Sequence, residues 1–333
     1  LFGGFDGLDL REKDPFRNSI LANATSETES YELYTLQRTI KSIADPEVVE
    51  FNLATIPGVN DSKITDQLIQ MCDDRGDALA IIDLPGDYTS EYEGTSAETA
   101  RIGSVSTTIN NLNARGANSS YGCAYYPWVQ IRDEFTNKII WMPPSVVALG
   151  TMGSSAAASE LWFAPAGFVR GGLSNGSAGL PVVGVRQKLT SDERDRLYDA
   201  NVNPIASFPS EGIVIFGQKT LQVTPSALDR VNVRRAMIFI KKEISRIAST
   251  ILFEQNVQST WNRFLDKAEP FLSGVKSRLG LSDYKLVLDS TTTTPDLVDR
   301  NIVYAKVFLK PAKAIEFIAI DFTISNTGAA FED

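Results

Sequence analysis

Apolar positions along the first half of the chain switch repeatedly between the strand period and the helix period. Val48 to Ala54 is a short β-prone run stopped by Pro57-Gly58. From a cap at Asp61 or Ser62, Ile64, Leu68, Ile69 and Met71 then recur at helical spacing. Ala78 to Leu84 is nearly all apolar, which predicts a strand covered on both faces, and Pro85-Gly86 ends it. A second round follows: a helix over 97–114, with Ile102, Val105, Ile109 and Leu112 on one face, and a strand over 124–131. Another strand at Lys138 to Met142 and a small-residue helix from Ser145 to Ser159 complete an α/β reading: βαβ units around a largely parallel central sheet.

Arg170 to Gly179 is rich in Gly and Ser and has little to bury, so it predicts a connection between two domains, 1–175 and 176–333. The second of these reads as α+β, opening at Pro181 to Val185, with a short helix over 191–199 and a compact strand over 212–217. Its longest helix is predicted from about Ser226 to Asn262, because Met237, Ile240, Ile244, Ile247 and Ile251 repeat at three and four residues. A second amphipathic stretch, 270–279, precedes strand-like runs at 284–288, 302–309 and 315–324.

Composition narrows the function. The chain of 333 residues contains no His, which removes the usual general base, the His-dependent nucleophile systems and the commonest metal ligand. A net charge of −9 gives no electrostatic case for nucleic acid, and no run of about 18 apolar residues predicts membrane insertion. Cys72 and Cys123, far apart and outside any CxxC, read as buried free thiols. The opening Leu1-Phe2-Gly3-Gly4, without a starting Met or a leader, is expected to mark a fragment or a processed product.

Candidate chemistry is sparse. Gly150 and Gly153 form neither GxGxxG nor GxxxxGK[ST], and Asp73-Asp74 beside Arg75-Gly76 reads as a solvated helix end. Asp83, at the carboxyl end of a strand, stands where α/β enzymes keep functional groups, but the Pro85-Gly86-Asp87 turn favours a structural role. Two features point outward instead. Arg230, Arg234, Arg235, Lys241, Lys242 and Arg246 concentrate positive charge on one helix of an acidic protein, as a partner surface or a solvated face with local ion pairs. Ile315, Phe317, Ile318, Ile320, Phe322 and Ile324 form a long apolar strand near the end of the chain, which pairs within its own sheet or adds to a neighbour's.

Specific strings then suggest a family. Pro143-Pro144-Ser145 with Leu161-Trp162-Phe163-Ala164-Pro165-Ala166-Gly167 resembles the PPSG…WKAPAG region of contractile phage tail sheath proteins. Asn203-Pro204-Ile205, Gly212 to Gly217 and Thr220-Leu221 resemble the NPI…G…WG.RTL stretch, and Val231-Asn232-Val233-Arg234-Arg235 resembles INVRR. Phe253-Glu254-Gln255-Asn256 with Trp261 is similar to FEPN…W, while Pro295 to Asp299, Lys310-Pro311 and Phe317-Ile318 resemble the family's ending. Gly3-Gly4-Phe5-Asp6-Gly7 resembles its GG.DG entry into the α/β domain, so the matches run in family order along nearly the whole chain. Departures at Val146, Phe163 and Phe216, where the family often has Gly, Lys and Trp, bear on local packing.

The resemblance implies a structural subunit, not an enzyme, that needs no cofactor. Such sheaths polymerise in six-fold rings around a tail tube and contract to drive the tube through the host envelope. The implied partners are copies of the chain, the tube, and the baseplate and tail terminator proteins, in a virion assembled in the host cytoplasm. The resemblance also implies that Ile315 to Ile324 supplies an arm to a neighbour's sheet, and that this fragment, lacking the family's amino-terminal arm and outer domains, stays monomeric. The helix of Arg234, Arg235, Lys241 and Lys242 is expected to face an acidic tube. A sheath from a related injection machine, a tailocin or a type VI secretion-like system, and an α/β nucleotide-binding enzyme are the competing readings.

Overall fold

The structure, a computed structural model, describes residues 16–26, 28, 30–89, 103–133, 136–174 and 181–316. At its centre is a five-stranded sheet in the order β1-β2-β3-β7-β8, built from β1 (Leu53–Thr55), β2 (Leu79–Ile82), β3 (Gly122–Tyr126), β7 (Asn203–Phe208) and β8 (Gly212–Ile215). The first four strands run parallel; β7 and β8 form an antiparallel hairpin. The helix Ser62–Arg75 makes the crossover from β1 to β2. Asp61 caps it by accepting from the Lys63 amide at 2.9 Å, and Gly76 ends it in the left-handed region at φ 67.

All four residues of β2 are buried, as the unbroken apolar run predicts. The two-residue side-chain period splits that run between two cores. Ala80 and Ile82 pack with Ala124 and Tyr126 under the helices Tyr31–Ser42, Ser62–Arg75 and Val105–Arg115. Leu79 and Ile81 pack with Cys123 and Tyr125 on the other face, against Val147 and Met152 of the helix Pro144–Ala158 and Val231 and Ile238 of the helix Val231–Ser249.

Beside this sheet lies a smaller one in the order β5-β4-β6, from β4 (Val129–Arg132), β5 (Ile139–Met142) and β6 (Val182–Val185). Its antiparallel pairing corrects the strand expected over 124–131, which Pro127 divides into β3 and β4. Of the helix expected over 97–114, the described part is Val105–Arg115. It begins at Val105, after Ser104 accepts from the Thr107 amide at 3.1 Å, and residues 97–102 lie outside the described residues.

The division expected at residue 175 falls inside this framework. Both β7 and β8 lie beyond it in sequence yet extend the sheet of β1 to β3, and β6 pairs with β4.

Among the described residues that follow, two long helices, Val231–Ser249 and Gln258–Ser277, pack with an antiparallel pair, β9 (Leu281–Val287) and β10 (Lys306–Pro311), and the short helix Pro295–Asp299 lies between the two strands in sequence. The single helix expected over 226–262 is therefore two, separated by a turn at 250–257. Its apolar period continues to Ile251 because Ile244, Ile247 and Ile251 line the contact with Trp261 and Phe264 of the second helix. No Gly or Pro marks the turn, and the stretch expected at 270–279 is the end of that second helix, with Pro270 inside it. Trp162 joins the two regions: its indole donates to the Arg278 carbonyl at 2.8 Å, and the Trp162 carbonyl accepts from Asn232 Nδ2 at 3.1 Å.

Candidate assembly surface

The cations singled out from sequence do not share one exposed face. Arg234 and Arg235 point inward, 8% and 6% exposed, and burial holds both guanidinium groups below their ordinary pKa. Arg234 lies over the Tyr121 ring at 4.0 Å and donates to Ser120 Oγ; Arg235 donates to the Met152 carbonyl at 3.2 Å. They bind the long helix to the central sheet, and the tube-facing role expected of them would require a surface they do not reach. Charge periodicity alone could not show this, because the helix is buried on most sides at its first two turns. Farther along, Lys241 is exposed and Lys242 Nζ pairs with Glu50 at 2.7 Å.

Arg230 has a different task. Its Nε and Nη2 donate to the two carboxylate oxygens of Glu316 at 2.6 and 2.8 Å, and Gln218 Nε2 donates to the same carboxylate at 3.2 Å. This fork-to-fork pair is the strong, directional form of an ion pair. It fastens the root of the predicted arm between the start of the long helix and the segment after β8. Ile315 beside it is 84% exposed, whereas Phe317, Ile318, Ile320, Phe322 and Ile324 lie outside the described residues. Sequence reading missed Glu316; the signal available was an isolated acid within a strongly apolar run.

β10 alternates between exposed and half-buried positions and β9 opens on the buried Leu281, with Tyr284, Leu286, Val307 and Leu309 packed toward the helices. Two strands on one helical layer form a minimal sheet. Among the described residues neither strand has a second partner, so each keeps an edge of backbone donors and acceptors.

The acids at the carboxyl end of β2 serve the interior. Asp83 is fully buried and accepts from the Gly58 amide at 2.8 Å and from the Ser145 amide and hydroxyl at 3.1 and 2.7 Å, so it caps the helix Pro144–Ala158 from a distant part of the chain. Burial raises its pKa to about 6 against those donors. Asp87, also buried, is pushed up by burial and by the charge of Asp83. The Gly150 and Gly153 segment is ordinary helix, and Asp73 and Asp74 are exposed near a helix end. Among the described residues no group of three His, Cys, Asp or Glu could hold a metal ion, and no helix is long and apolar enough to cross a membrane.

This arrangement, a doubly covered, largely parallel sheet joined to a helical hairpin and an antiparallel pair, is similar in fold to solved contractile sheath structures. The PVC sheath complex of an extracellular contractile injection system, in its contracted state, matches with TM-score 0.69 at 20% identity over 96% of this chain and 87% of that one. The anti-feeding prophage helical sheath in its contracted state matches at TM-score 0.64 and 20% identity, covering 90% of this chain and 76% of that one.

Sequence comparison is more particular. Residues 223–325 match the family model for the phage tail sheath C-terminal domain. The tail sheath protein of Enterobacteria phage T4 is 29% identical over 276 residues, 82% of this chain and 40% of that protein. That of Vibrio phage KVP40 is 33% identical over 225 residues, 68% of this chain and 32% of that protein. The chain thus resembles contractile tail sheath proteins over most of its own length, and its matches cover 32% to 40% of theirs.

Proposed function

We propose that the chain is the inner part of a sheath subunit that polymerises with copies of itself around a tail tube and contracts to drive that tube through a host envelope. The observation that carries this reading is the unfinished β9–β10 sheet beside an arm root fastened by Arg230 and Glu316. Ladder bonds from a neighbouring copy's strand would satisfy the open edges, and such backbone pairing would hold while rigid domains slide between an extended and a contracted packing. The work would come from the difference in buried interface between the two lattices, with no cofactor and no catalysis. The tube-facing charge would fall to Lys241, Lys242 and Arg246, and the division between the two units would lie near residue 220, after the last strand of the central sheet. Tube, baseplate and tail terminator proteins would be the other partners, in a virion assembled in the host cytoplasm.

Electron microscopy of the full-length protein tests this reading. Hollow helical polymers are expected, and their loss when 315–333 is deleted. Monomers at all concentrations, or turnover of a nucleotide, would overturn it. The likeness to injection-system sheaths favours one second reading, a sheath from such a machine instead of a phage tail. Purified particles with or without a DNA-filled head separate the two.

A further inference from the structure

The turn between the two long helices presents an apolar knob. Phe253 is fully exposed, Leu252 is 66% exposed and Val257 48%. Phe253 also holds a left-handed backbone, φ 65, which costs a bulky residue on the order of 1 kcal/mol. The turn is not loose. Trp261 Nε1 donates to Asn256 Oδ1 at 2.8 Å, and Asn256 Nδ2 donates to the Ile302 carbonyl at 3.3 Å. A strained aromatic held out from a fixed turn is arranged to enter something.

At the other end of the helix Val231–Ser249, next to the Arg230–Glu316 pair, lies a cleft of about 380 Å³ lined by Ala164, Ala166, Pro204, Phe216, Arg194 and Ile315. Phe216 extends it into an aromatic cluster with Phe168 and Phe208, and Phe168 and Val169 are 50% and 87% exposed. The helix between knob and cleft has 19 residues, about 28 Å at 1.5 Å per residue, so the knob cannot reach its own cleft.

We infer that Phe253 of one copy seats in the Phe216 cleft of the next, with Glu254 beside the knob meeting Arg194 at the cleft. Among the described residues Glu254 has one ion pair, at the surface with Arg263 at 3.2 Å, and Arg194 lies over the Phe208 ring at 5.2 Å and donates from Nη1 to the Leu189 carbonyl at 3.3 Å, with no carboxylate paired to it. Burying a Phe removes roughly 150–250 Å² from water, enough for an anchor residue. Because the two patches are different surfaces at opposite ends of one rod, the contact is head-to-tail and propagates a ring or an open helix instead of closing a dimer. The inference rests on the self-assembly proposed above and names the surfaces that carry part of it.

The test uses full-length protein carrying Phe253→Ser. The concentration at which polymer forms should rise at least tenfold with an unchanged melting temperature, and Phe253→Leu should stay within threefold of the parent. Mixing a Phe253→Cys copy with an Ala166→Cys copy and oxidising the polymer should give a disulfide dimer found in neither alone; Cys72 and Cys123 are buried and do not compete. Unchanged assembly of Phe253→Ser, or no cross-link because the chain's own tail fills the cleft, overturns the inference and leaves the sheath reading standing. Failure of the parent protein to polymerise overturns both.

Discussion

The central sheet and the β9–β10 pair are built from equally β-prone sequence but are finished to different degrees. In the sheet, β2 has a strand on each side and a helical layer over each face, so Leu79, Ala80, Ile81 and Ile82 are all buried. Among the described residues β10 has one strand beside it and one covered face, and Phe308 stands 56% exposed. One region carries its stability within the chain. Among the described residues the other leaves edge donors and acceptors and some apolar surface open, the surface that the proposed sharing between copies would use.

Truncation should separate the two regions most sharply. Ile81→Ala removes a fully buried side chain from a site closed on both faces and should destabilise the chain by about 3–4 kcal/mol in denaturant unfolding. Val307→Ala, at a half-buried position of β10, should cost less than about 1 kcal/mol in the isolated chain. A cost for Val307→Ala equal to that for Ile81→Ala would show that the pair is finished within the chain and would break the comparison.

A pH titration probes the same contrast at the second-largest scale. Folding raises Asp83 from the ordinary 3.8 to about 6, so between these values the folded chain holds a proton that the unfolded chain has released. Its contribution is full below 3.8 and is lost as pH rises through about 6, on the order of 2–3 kcal/mol. Asp87 shifts in the same direction. Stability measured by urea unfolding should therefore fall between pH 4 and pH 7, and Asp83→Asn should flatten much of that slope. The exposed Asp283 and Asp289, near the β9–β10 pair, are instead held below the ordinary value by hydrogen bonds, first from Lys276 and Thr291 respectively, and push the other way.

The contrast also explains what could be read from sequence. Ala78 to Leu84 was legible because a strand covered on both faces must be apolar throughout, and Asp61 and Gly76 punctuate the helix before it. The turn at 250–257 was not: its residues keep the helical period, and it reverses on a Phe where a Gly would have announced it. Arg234 and Arg235 misled for a related reason. Pairs of cations on a helix read as a surface, and only three-dimensional packing shows Tyr121, Ser120 and the Met152 carbonyl receiving them. The apolar run around Ile315 was visible as a strand without a place, but its anchor was not, because Arg230 and Glu316 are far apart in sequence.

The smallest effect tests the Arg230–Glu316 pair. Glu316→Gln keeps the shape of the side chain and removes its charge, leaving Arg230 with one acceptor where it had a bidentate one. Both groups are partly open to water, with side chains 25% and 16% exposed, so screening limits the loss to about 1 kcal/mol. Asp229 still faces Arg230 at 3.1 Å and spares it an uncompensated charge. Global unfolding should therefore barely move, while backbone amides at 312–316 should exchange with deuterium about fivefold faster. Loss of global stability well beyond that figure would mean that Glu316 belongs to the finished core and that the boundary between the self-sufficient region and the shared one lies farther along the chain.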